Sequence, residues 1–147
     1  MSSSFTYGEW TFDWSAAGIG PTVIFLSRSS LTEEAIALTQ ALERDFFVIQ
    51  LKAQNTNLET FGDAVAAFFA ELQIHRVHWI ITRDAADLAE HLLKRLPQLI
   101  WSMTAEESVL DHPEVKTIIR IAPDFAVALR QEFARVDPPY RTSEHPI

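Results

Sequence analysis

Bulky apolar residues alternate with small or polar ones at the start of the chain. In "FTYGEWTFDW", Tyr7, Trp10, Phe12 and Trp14 stand on either side of Gly8-Glu9, the pattern of an N-terminal β-hairpin. "AAGIGP" then breaks the alternation with glycines and Pro21. "TVIFLS" (22–27) is continuously apolar, as expected of a strand covered on both faces. In "SLTEEAIALTQALER" the period changes: Leu31, Ala35, Leu38 and Leu42 share one helical stripe, and Ser30 with Glu33 has capping-box spacing. "FFVIQL" (46–51) predicts a second buried strand and "KAQNTN" (52–57) a loop.

Thr56 and Glu59 repeat the capping-box spacing before a helix whose stripe is Phe61, Val65, Phe68 and Leu72. "RVHWIIT" predicts a third strand, and "DAADLAEHLLKRL" a helix with Ala85, Leu88 and Leu92 inward, stopped by Pro97. "QLIWSM" predicts a fourth strand, "TAEESVLDHP" a loop or short helix, and "VKTIIRIA" a fifth strand. The closing helix "PDFAVALRQEFARV" carries Phe125, Leu129, Phe133 and Val136 on one stripe. A hairpin followed by alternating strands and helices predicts an α/β fold, with a mostly parallel sheet and helices on both faces. Residues 1–136 form a single expected domain, and 137–147 a proline-containing C-terminal tail. Ligands of such folds sit at the carboxyl ends of strands, which directs attention to 27–30, 52–57, 82–86, 103–107 and 122–124.

Composition narrows the function. The net charge of −8 leaves no basic face for neutralising phosphates, which argues against a general nucleic-acid binder and an anionic membrane surface. With no cysteine there is no disulfide frame, thiolate nucleophile or thiolate metal site, and no cofactor or metal is expected. No apolar run reaches the ~18–20 residues of a membrane span, and "MSSSFTYGEW" lacks the features of a signal peptide. The expectation is a soluble, cytoplasmic protein.

The order of several segments resembles the α/β-hydrolase family. "GIGPTVIFL" is similar to the family's lead into its first central parallel strand, and "ALERDFFVIQL" to its second. "LETFGDAVAAFFAELQIHRVHWI" resembles the helix and turn before the nucleophile strand, and "KRLPQLIWSM" the passage to the next strand. The resemblance covers roughly Tyr7 to Met103 and implies the fold, with the lid and last strands missing. It also implies where catalytic parts would lie. The elbow G-x-S-x-G corresponds to Ile81-Thr82-Arg83-Asp84-Ala85, with Arg83 at the nucleophile. A guanidinium does not lose its proton and cannot attack a carbonyl. The bulk of Ile81 favours a relaxed turn over a strained one. Ser27-Arg28 replaces the His-Gly of the oxyanion loop, and Asp124 stands where a residual acid could lie, with only His145 beyond it.

Individual residues admit a functional and a plain role. Arg83 could bind an anion with the helix N-terminus, alongside Ser27 and Arg28, or pair with Asp84 or Asp87. Thr82 suits an N-cap more than a nucleophile. Asp87 and His91 share a helix face but lack a third ligand. His78 fits a buried, hydrogen-bonded histidine, and Trp79 and Trp101 fit core packing or a pocket wall. Tyr140 and Arg141 in the tail could engage a partner, or the tail could be a frayed end. Together these features predict a non-catalytic, hydrolase-like protein-binding or scaffold module that forms a homodimer. The alternatives are a repurposed pocket for an anionic molecule at Arg83, or a half-domain completed by a partner chain.

Overall fold

The computed structural model describes residues 2–54, 57–106, 115–118 and 121–136, Ser2 and Val136 by backbone alone. β1 (Ser2–Tyr7) and β2 (Trp10–Ala17) form the expected antiparallel hairpin. Its two-residue turn places Gly8 at φ 59, the glycine-first arrangement of a type II′ turn. Trp10 and Phe12 are fully buried, whereas Tyr7, at the outer corner of the sheet, stays 44% exposed.

Strand and helix then alternate: β3 (Thr22–Ser27), α1 (Glu33–Leu42), β4 (Phe47–Gln54), α2 (Phe61–Leu72), β5 (Val77–Ile81), α3 (Ala86–Arg95), β6 (Ile100–Glu106), β7 (Val115–Ile118) and α4 (Ala126–Val136). The seven strands are ordered β1-β2-β4-β3-β5-β6-β7. β2 runs antiparallel to β4, and every pairing from β4 to β7 is parallel.

Alternation along the central strands feeds two cores. Ile24, Leu26, Ile49, Leu51, Trp79 and Ile81 face α2 and α3, where Phe61, Phe68 and Leu92 pack on them. Val23, Phe25, Val48 and Ile80 face α1 and α4, meeting Leu38, Leu129 and Phe133. Trp79 is core rather than pocket wall: it stacks on Phe69 at 5.8 Å and donates its indole N–H to the Leu99 carbonyl at 3.2 Å. His78 is fully buried, with Nδ1 2.8 Å from Ser102 Oγ and its ring stacked on Phe133 at 4.3 Å.

Several boundaries differ from expectation. α1 starts at Glu33 with Thr32 as its cap, the Thr32 hydroxyl accepting from Ala35 N–H at 3.1 Å, so Ser30 is left in the preceding loop. Asn57 takes the second capping role by accepting from Glu59 N–H at 3.2 Å, and Thr56 lies outside the described residues. Residues 52–54 are strand rather than loop because β2 pairs with them. β6 likewise continues past Met103 to Glu106, held between β5 and β7. The loop from β2 to β3 presses so closely on the turn after α1 that a Cβ on Gly18 would lie 2.1 Å from the Phe46 carbonyl oxygen, and Gly18 itself sits at φ 96. No described helix is long and apolar enough to cross a membrane.

Candidate functional site

The parallel strands β3, β5 and β6 end side by side, and the turns leaving them form one cleft. β3 ends at Ser27, a residue 3% exposed, whose hydroxyl donates to the Ser29 carbonyl at 2.8 Å and folds the loop back on itself. β5 ends at Ile81. Thr82 then donates its N–H to the Leu26 carbonyl at 3.1 Å, which ties the turn to β3. The chain passes through a 3-10 turn, Arg83–Ala85, straight into α3. Gln73 is the one described non-glycine residue at positive φ, so the turn at 82–85 is relaxed, as the bulk of Ile81 predicts.

Asp84 organises this junction. Its carboxylate accepts from Ser29 Oγ at 2.5 Å, Thr82 Oγ1 at 2.5 Å and Arg28 N–H at 3.2 Å. Burial raises its carboxyl, but the Ser29 and Thr82 hydroxyls and the main-chain N–H groups of Arg28 and of Asp84 itself outweigh burial and hold it below the usual aspartate range. A carboxylate so stabilised is a poor proton acceptor, and the Thr82 hydroxyl is not activated by it. That hydroxyl makes no cap bond; besides Asp84 it reaches the Leu26 carbonyl at 3.2 Å.

The arrangement bears on anion stabilisation. If Arg83 stands at the nucleophile position, as the resemblance implies, the hydrolase oxyanion hole would be built from the N–H of Asp84 and an N–H of the loop after β3. The Arg28 N–H instead donates to the Asp84 carboxylate at 3.2 Å.

Arg83 turns toward neither Asp84 nor Asp87. Its N–H donates to Glu106 Oε1 at 2.8 Å and its Nη2 lies 3.9 Å from Glu106 Oε2, the end of β6 having brought that carboxylate alongside. Asp87 is taken by Arg28, through Nε–Oδ1 at 3.3 Å and Nη2–Oδ2 at 2.6 Å. His91 does not pair with Asp87: its ring meets Phe61 edge-on at 5.9 Å, and burial, with the Arg95 charge, lowers its pKa. No group of three His, Asp or Glu positioned for a metal occurs among the described residues.

The cleft encloses about 290 Å³, walled by Ser27, Leu31, Ala35, Arg83, Glu106 and Ile121. Among its described lining residues the carboxylates of Glu34, Asp84 and Glu106 outnumber the single guanidinium of Arg83. The loop bearing Ser29 divides it from a second hollow of about 320 Å³ beside Asp13, Gln50 and Lys52. Asp124 lies exposed on the 3-10 turn Pro123–Phe125 and is not part of either wall. Trp101 does line a separate hollow at the opposite ends of the strands, with the Arg76 guanidinium 4.8 Å above its ring. Tyr140, Arg141 and His145 lie outside the described residues. Ser29 and Glu106 fall within the strand-end segments 27–30 and 103–107 to which the sequence directs attention, but neither is picked out individually there: Ser29 stands within a run of serines, and the pairing of Glu106 depends on β6 extending to it.

No protein-family model matches the chain, and no curated protein matches it. Solved structures do. A hydrolase from Pseudomonas aeruginosa PA01 is 17% identical with a TM-score of 0.60, over 71% of this chain and 45% of that one. An epoxide hydrolase from Vigna radiata is 14% identical with a TM-score of 0.56, over 73% and 39%. An N-acyl homoserine lactone degrading enzyme is 16% identical with a TM-score of 0.57, over 70% and 44%. The fold is therefore α/β-hydrolase-like, and the chain spans less than half the length of these solved relatives.

Proposed function

We propose that this chain is a non-catalytic α/β-hydrolase-like protein that acts as a protein-binding or assembly module and associates with itself. The Asp84 carboxylate carries the reading. It engages the Arg28 N–H of the loop after β3, one of the two main-chain groups that would otherwise stabilise a developing oxyanion, and the position matched to the family's nucleophile holds a guanidinium. Catalysis by acyl transfer needs both parts. Self-association is supported by the sheet edges: β1 and β7 each lack a strand partner on one side among the described residues, and such edges tend to be paired or covered. An enzyme that orients an anionic substrate with Arg83 is less well supported, because main-chain and side-chain atoms of Arg83 face Glu106 and the cleft is rich in carboxylates.

Two measurements on purified protein test the proposal. Nitrophenyl esters of several chain lengths are expected to show no turnover above buffer. Sedimentation is expected to show a reversible oligomer. Turnover that disappears in a folded Thr82→Ala variant overturns the non-catalytic reading, and a monomer at every concentration overturns the self-association.

A further inference from the structure

We infer that the outer edge of β1 is the surface through which two copies of this chain join, strand against strand, about a two-fold axis at Ser4. This deepens the self-association proposed above and rests on it. β1 pairs with β2 from Ser2↔Ser15 to Tyr7↔Trp10 without a register shift. The two-residue turn makes Tyr7–Trp10 a pair that exchanges main-chain bonds, so Tyr7, Phe5 and Ser3 turn their N–H and C=O groups toward β2. Ser2, Ser4 and Thr6 turn theirs to the open side, where no described strand meets them.

An open row of this kind is a template for pairing, and soluble proteins usually guard it with lysine, proline, a bulge or brevity. The far edge of the sheet has two of these guards: β7 is four residues long and exposes Lys116. β1 has none of them. Its six residues, "SSSFTY", include no charge and no proline. The strand is also held firmly, since Phe5 stacks with Phe12 at 6.1 Å and meets Phe68 edge-on at 5.4 Å.

Self-complementarity about a two-fold axis selects a second copy as the occupant. The net charge of −8 opposes association over most of the surface, and the uncharged strand is where two copies meet least repulsion. The carboxylate opposite Ser4, Asp13 on β2, is engaged by Gln54 Nε2 at 2.5 Å and by Ser4 Oγ at 3.4 Å. An antiparallel pairing centred on Ser4 sets Ser4 against its own copy and Ser2 against Thr6. It closes about six main-chain hydrogen bonds and sets no charged residues opposite each other.

The absence of cysteine makes the test direct. Opposed residues in a main-chain-bonded antiparallel pair lie about 5.5 Å apart between Cα atoms, within disulfide reach. A Ser4→Cys variant is expected to cross-link into a covalent dimer on mild oxidation, whereas Lys116→Cys on the far edge is not. Ser4→Pro and Thr6→Lys are expected to weaken the dimer at least tenfold in sedimentation while leaving the circular dichroism spectrum unchanged. A dimer as tight as wild type in folded Ser4→Pro and Thr6→Lys, or cross-linking through Lys116→Cys instead, overturns the β1 interface and leaves the self-association standing. A wild-type monomer at all concentrations overturns both.

Discussion

Replacing Asp84 with asparagine preserves the side chain's size and removes its charge. Three donors outside the residue lose their charged acceptor: Ser29 Oγ, Thr82 Oγ1 and Arg28 N–H. A shielded hydrogen bond to a charged group contributes about 1.5–3 kcal/mol, but Asp84 is exposed and water competes, which leaves roughly 0.5 kcal/mol each. The amide oxygen keeps part of that, so the expected loss at about pH 7 is ~1 kcal/mol. The pH dependence carries the sharper test. The folded carboxyl lies below its unfolded value, so folding favours the charged form. That contribution is complete above about pH 4, the unfolded value, and fades as pH falls through the lower folded one. At still lower pH both side chains are neutral and the two proteins converge. Urea unfolding of Asp84→Asn and wild type, followed by circular dichroism at neutral and acid pH, measures the gap. Equal midpoints at neutral pH, or a gap that widens on acidification, refute the role assigned to this carboxylate.

Gly18→Ala places a Cβ against the Phe46 and Glu43 carbonyl oxygens at φ 96, and a loss of roughly 2–4 kcal/mol is expected in thermal unfolding. Gln73 ends α2 at φ 58, a conformation natural to glycine, so Gln73→Gly is expected to raise stability by about 0.5–1 kcal/mol in the same melt. Arg83→Ala keeps the main-chain bond to Glu106 and removes a side chain that is 61% exposed; its urea midpoint is expected to move by no more than about 0.5 kcal/mol equivalent.

The central fold was legible because its signals are local and repeated. The apolar runs of β3 and β5 and the stripe of Ala85, Leu88 and Leu92 need no distant partner to be recognised, and all are buried as expected. The strand ends were not legible. Lys52 to Gln54 look like loop in isolation and become strand because β2, far away in sequence, supplies hydrogen bonds. The site was partly legible: the junction at Thr82, Arg83 and Asp84 lies where strand-to-helix punctuation placed it. Its pairings were not, because Arg28 after β3 meets Asp87 on α3, and Arg83 after β5 meets Glu106 at the end of β6. A carboxylate next to an arginine in sequence suggested a local pair, and the geometry of the turn sent each to a different neighbour.

None of the four tryptophans belongs to the core beneath α1 and α4. Trp10 and Trp79 are enclosed on the opposite side, Trp14 packs against that same side, and Trp101 lies under Arg76. Intrinsic fluorescence would thus be blind to half of the molecule. If α4 peeled away and uncovered the His78 imidazole from Phe133, the emission spectrum would hardly change. A Phe133→Trp variant would place an emitter on the silent side and make its opening visible.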